Sequence, residues 1–145
     1  MKTLSVALMG SLMIGSIALA HQGVKDPFVK ARMHAMGTAG QATKVLGDMA
    51  KGSVDYDATQ AAEAKAALIQ VAQDLPALFQ ENASDPVSEA RPAIWDDYAD
   101  FSAKADVMAA AAVALDTSSA ATIGAGLRAL GGSCGGCHKA YRQKK

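Results

Sequence analysis

The sequence predicts an all-α fold, an antiparallel four-helix bundle, and three observations predict it. Beyond residue 20 the chain is rich in alanine and poor in β-branched and aromatic residues. It shows no two-residue alternation long enough for a strand. Four amphipathic stretches follow one another at three-four spacing, with short links between the first and second and between the third and fourth, which is the pattern of antiparallel neighbours. At 145 residues the chain is one domain's worth, able to bury roughly 70 % of the surface its unfolded form would expose.

The first helix is predicted over residues 26–51. Pro27 suits a first turn, and Val29, Met33, Met36, Gly40, Thr43, Gly47 and Ala50 recur at helical spacing. A parallel stripe of Phe28, Ala35, Ala39, Ala42, Leu46 and Met49 widens the apolar face, and Gly52 stops the helix. The second helix begins at Asp57, whose side chain can cap it with Gln60 three residues on, and runs through Ala61, Ala64, Leu68, Val71 and Leu75. Pro76 marks its end or a kink. Residues 80–91 have loop composition. A third helix opens on Pro92 and aligns Trp95, Tyr98, Phe101 or Ser102, Ala105, Met108, Ala112 and Leu115, its aromatic start towards the core. The turn at Asp116, Thr117, Ser118 and Ser119 caps a fourth helix through Ile123, Leu127 and Leu130 towards Tyr141, locally weakened by Gly131 and Gly132.

Residues 1–20 read as a signal peptide: Lys2 supplies the positive charge, an apolar stretch runs from Leu4 to Leu19, and Ala18 and Ala20 are placed for cleavage. A membrane anchor is the alternative, but the stretch is short, is broken by Gly10, Ser11, Gly15 and Ser16, and leads into polar His21 and Gln22. Residues 21–145 then form the mature domain, expected in the periplasm and without a membrane span. The 14 basic and 14 acidic residues balance. The basic end Lys139, Arg142, Lys144 and Lys145 is too small for a nucleic-acid footprint. It offsets a helix dipole or faces a redox partner protein.

The only two cysteines lie in Cys134-Gly135-Gly136-Cys137-His138, and C-x-x-C-H is the attachment signature of c-type haem. On a helix Cys134, Cys137 and His138 stand at i, i+3 and i+4 and project from one face, so two thioethers and one imidazole meet one porphyrin. A structural disulfide or a thioredoxin-like pair is the competing reading. The strand-and-helix context of a redox pair is missing, and tetrahedral zinc would need a further ligand pair that His21 and His34 do not offer.

Beyond the motif, Arg32-x-x-x-Met36 leading to Met49-Ala50-Lys51-Gly52, then Leu75-Pro76-Ala77-Leu78-Phe79, Arg91-Pro92-Ala93-Ile94-Trp95 and Leu130-Gly131-Gly132-Ser133 all resemble the class II c-type cytochromes, meaning cytochrome c prime and its low-spin, methionine-ligated relatives. The position of C-x-x-C-H near the C-terminus is the specific part of the likeness. The resemblance implies one covalent haem c per chain, with Cys134 and Cys137 as thioether donors, His138 as proximal ligand and Arg142 as its basic neighbour. It places Met36 over the distal face, as a ligand or as an apolar shield, with Phe79 as a distal wall and Trp95 as a core anchor. Arg32 approaches a haem propionate or is solvated. His21 and His34 are given no role.

Two functions follow from that ambiguity. With Met36 ligating, the protein is a low-spin periplasmic carrier of single electrons, and the likeness of Asp26-Pro27-x-x-Lys30-x-Arg32-x-x-x-Met36 to the low-spin branch favours it. With Met36 only shielding, the iron is five-coordinate and binds nitric oxide or carbon monoxide. Peroxidase chemistry would need distal acid-base groups, which Met36 and Phe79 are not, so no enzymatic activity is expected. Family members commonly form homodimers through the first two helices, and the small-residue surface of Ala35, Ala39, Ala42, Ala61 and Ala64 is read as permitting a close second copy.

Overall fold

A computed structural model describes residues 23–144, so the signal-peptide reading of residues 1–20 lies outside the described residues. The elements are α1 (Pro27–Ala50), α2 (Ala58–Leu78), a single turn α3 (Ala93–Asp96), α4 (Tyr98–Ala114) and α5 (Ala120–Tyr141). No strand occurs among the described residues; one isolated antiparallel bridge joins Ala90 to Arg142.

Local chemistry sets most of the helix ends. The Asp26 carboxylate accepts from the Val29 N–H at 2.9 Å, and Asp57 does the same for Gln60 at 2.9 Å, each satisfying an otherwise orphaned donor. Ser119 and Thr122 form a reciprocal capping box at the start of α5. At the end of α1, Gly52 takes φ +69°, a conformation that suits glycine. The Gly52 N–H then reaches the Met49 carbonyl at 3.1 Å and the Ser53 N–H the Asp48 carbonyl at 2.9 Å, which is the Schellman closure. These ends agree with the sequence reading.

The third predicted helix needs correction, because it is two. At Asp97 the backbone leaves the helix (φ −137°, ψ 69°), and the Asp97 carboxylate accepts from the Asp100 N–H at 3.1 Å and so caps α4 afresh. Pro92 precedes only the short α3, and Ile94 rather than Trp95 is the residue of that turn buried in the core.

α1, α2, α4 and α5 form a ring in which each packs against the next and the last against the first; α3 lies against α4 and α5. Side-chain contacts give the direction of each neighbour. Arg32 near the start of α1 bonds the end of α2, and Tyr98 at the start of α4 bonds Pro76 near the end of α2. Tyr141 at the end of α5 bonds Asp100 at the start of α4. Each adjacent pair is therefore antiparallel, including α5 with α1. The enclosed core holds Leu46, Leu68, Ile94, Leu115, Ile123 and Leu130. Burial of each such side chain is worth about 2 kcal/mol.

Two further expectations change. On α1 the core stripe is Val29, Arg32, Ala35, Ala39, Ala42, Leu46 and Met49, while Phe28 is 48 % exposed. Ala35, Ala39, Ala42, Ala61 and Ala64, read as a surface for a second copy, all lie in the core. Small side chains there let helices of one chain approach closely, so these five alanines pack within the chain.

Candidate haem site

Cys134, Cys137 and His138 lie on the last two turns of α5, all half-buried, with Cys137 packed against the core. Their spacing puts them on one face, as expected of an i, i+3, i+4 set. Neither thiol is in a disulfide. Burial pushes the Cys137 thiol up, with the nearby Cys134 and Asp100 adding to it and Lys104 opposing. Burial also lowers the His138 imidazole, the Arg142 cation lowers it further, and Glu89 partly opposes. The neutral imidazole, the form with a lone pair to give a metal, is thus favoured. Two thiols and a neutral imidazole on one half-buried face are the donor set a covalent haem requires, and the residues fit that group.

The helix beneath them leaves room. A Cβ added at Gly131, Gly132, Gly135 or Gly136 would meet nothing within 4 Å, whereas one at Gly126 would lie 2.5 Å from Leu115 Cδ1. The glycines beside the cysteines face open space, and Gly126 is where the end of the buried Leu115 side chain packs closest against α5.

The antiparallel register fixes where Met36 falls. A Cβ on Gly124 would lie 3.7 Å from the Ala50 Cβ, so these residues are level across α5 and α1. Met36 stands fourteen residues before Ala50, and His138 fourteen residues after Gly124. At about 1.5 Å per residue both are roughly 21 Å along the bundle from that shared level. Met36 is half-buried and packs against the core. Sequence spacing alone does not reveal that these two residues share a level.

The aromatic residues gather at the same end. Phe79 is buried at the C-terminal cap of α2, its ring 4.9 Å from Phe101, and Phe101 meets Tyr141 edge-on at 5.5 Å. Trp95 is half-buried and donates its indole N–H to the Phe79 carbonyl at 2.8 Å. Arg32 is only 3 % exposed, which excludes the solvated alternative. Its Nε donates to the Leu78 carbonyl at 2.9 Å, Nη1 to Ala83 at 2.9 Å and Nη2 to Glu81, and the guanidinium lies over Phe79 and Trp95. Burial lowers its pKa, opposed by Asp26 and Glu81. These three carbonyls tie Arg32 to the end of α2 and the turn beyond it. Arg142 donates to the Glu89 carboxylate at 2.5 Å.

Sequence reasoning missed the roles of Asp85, Glu89 and the Tyr141–Asp100 pair. The Asp85 carboxylate is buried and accepts the N–H groups of Lys25 and Asp26 at 2.9 and 3.2 Å and that of Val87 at 3.1 Å. The short-range signal was present, since Asp followed by Pro86 and Ser88 is turn chemistry, but its long-range partners were not legible. Glu89 and the Tyr141–Asp100 pair likewise depend on partners more than forty positions away.

Comparison with known proteins identifies the arrangement. A cytochrome c-556 from Agrobacterium tumefaciens (strain apple 185) is 39 % identical over 118 residues, 79 % of this chain and 94 % of the relative. The structure of a cytochrome c' from Rhodopseudomonas palustris superposes with a TM-score of 0.75 at 30 % identity, covering 83 % of this chain and 99 % of that one. A nitric oxide complex of a variant cytochrome c prime from Alcaligenes xylosoxidans superposes with a TM-score of 0.71 at 29 % identity, covering 81 % and 94 %. The family model described as Cytochrome C' matches residues 27–142, from the first residue of α1 to the bridge residue after α5. With Cys134 and Cys137 in the C-x-x-C-H segment that this match includes, the chain belongs to the cytochrome c prime family, whose members carry one covalently bound haem c.

Proposed function

We propose that this chain is a periplasmic carrier of single electrons, exported by residues 1–20, with a haem attached through Cys134 and Cys137 and ligated by His138 and Met36. The haem, when bound, supplies the iron that accepts and releases the electron. The observation that carries the reading is the shared level of Met36 and His138 across α1 and α5. A thioether there gives the iron a second, uncharged ligand and raises its reduction potential. Buried Phe79 closes the same end with an apolar ring and keeps water from it. Arg32 holds the Phe79 turn in place, and Arg142 beside His138 favours the neutral imidazole.

A second reading rests on a specific observation: three similar solved structures, all variants of the Alcaligenes xylosoxidans cytochrome c prime, carry bound nitric oxide. On that reading Met36 only shields the distal side, and the protein binds small gases at five-coordinate iron. The visible spectrum of the haem-loaded protein, oxidised and reduced, with and without carbon monoxide, separates the two when compared with Met36→Leu. Sharp reduced bands indifferent to carbon monoxide in the wild type, but broadened and carbon-monoxide-sensitive in Met36→Leu, are expected. Broad bands that shift with carbon monoxide in both proteins would establish the gas binder.

A further inference from the structure

Residues 80–91 were read from the sequence as a loop, yet in the fold they bind three helices. At one end the Asp85 carboxylate takes the N–H groups of Lys25 and Asp26 at the entry to α1, and the carbonyls of Glu81 and Ala83 accept from Arg32. In the middle of this array, Arg32 also holds the Leu78 carbonyl of α2. At the other end the Arg91 N–H donates to the Tyr141 carbonyl at 2.9 Å, the Gln143 N–H to the Glu89 carbonyl at 2.9 Å, and Arg142 to the Glu89 side chain at 2.5 Å.

The two helices fastened this way are the ones that carry the proposed ligands. Met36 lies one turn beyond Arg32 on α1, and His138 lies one turn before Arg142 at the end of α5. An open groove beside Leu127 of α5 is lined on α1 by Gly40, Thr43 and Gly47 together with Lys44, Asp48 and Lys51.

We infer that residues 80–91 are a strap whose positioning residues, Asp85 at the α1 end and Glu89 at the α5 end, hold the Met36 turn and the His138 turn at a fixed separation. The inference rests on the Met36 ligation proposed above for its spectroscopic consequence, though not for its mechanical one. A strap has a property that independent local contacts lack. Cutting either end releases both turns, so a second cut adds nothing, and the two ends are non-additive.

The test uses the mature haem-loaded protein in four forms: wild type, Asp85→Asn, the pair Glu89→Gln with Gln143→Pro, and all three substitutions together. The first variant removes the charge that accepts from Lys25 and Asp26 at the α1 end, and the pair removes the acceptor's charge and one backbone donor at the α5 end, so each variant weakens one end. Amide exchange is read in residues 32–38 and 137–141, alongside the fraction of haem that reacts with carbon monoxide. Cutting only the α5 end should speed exchange in residues 32–38 by about tenfold, the loss expected for one charge-assisted bond. The triple variant should exceed neither cut, and the carbon-monoxide-reactive fraction should rise in the same order. Exchange that quickens only beside each cut, or effects that sum in the triple variant, would overturn the strap. If the wild type already reacts with carbon monoxide and Met36→Leu changes nothing, the ligation reading has failed, and the exchange pattern still decides the strap. Should the paired variant not fold, Glu89→Gln alone carries the same comparison.

Discussion

Tyr141 shows how one side chain near the site sets a pH limit on the fold. Its phenol is pushed up to about 12 from its usual 10.0, first by donating to Asp100 and then by burial. Asp100 is held below the ordinary carboxylate value, chiefly by that same bond and then by Lys104. The signs differ. The Tyr141 contribution is complete below pH 10.0 and is lost as pH rises through about 12. The Asp100 contribution is present above the unfolded carboxylate value and is lost on acidification through the lower folded one. The thermal midpoint of the wild type should therefore fall between pH 10.0 and about 12. Tyr141→Phe should start from a lower midpoint at neutral pH and lack this alkaline decline; an identical decline in both proteins would show that another group sets it. The caps Asp57 and Ser119 were legible because each partner lies three residues away. The bonds of Asp85 and Tyr141 span 60 and 41 positions, and no local pattern encodes them.

The end of α2 is held by side chains from three other elements, α1, α3 and α4. A helix leaves its last carbonyls without intrahelical donors. Here Tyr98 donates to Pro76, Arg32 to Leu78 and Trp95 to Phe79, so three buried or half-buried side chains replace the missing turn. Arg32 extends this to Glu81 and Ala83 in the strap. Arg32→Met keeps the volume and removes every donor, leaving three carbonyls without their partner. A loss of about 3 kcal/mol in denaturant unfolding is expected, at the scale of a few buried unsatisfied groups; a loss under about 1 kcal/mol would mean that water takes over the carbonyls. The sequence reading of α2 was sound where period and cap decide the element. It erred at α3 and α4 because the apolar period continues through Asp97 while that residue prefers to cap, a competition that spacing does not resolve.

Across the whole molecule the ring of antiparallel helices was legible from four periodic stretches and short links, and the haem motif from a five-residue pattern. The level of Met36 with His138 was not, since it depends on how α1 and α5 slide past each other. Six glycines in the 22 residues of α5 add a consequence for assembly. Relative to alanine they cost the helix about 6 kcal/mol in intrinsic propensity, so α5 depends on its neighbours and on its cofactor to stay wound. The segment offering the two thiols is then expected to be the last to set, which would couple final folding of α5 to cofactor attachment. In a chain with both cysteines replaced by alanine, α5 amides should exchange well ahead of those in α1, α2 and α4; equal protection in all four would separate the two events.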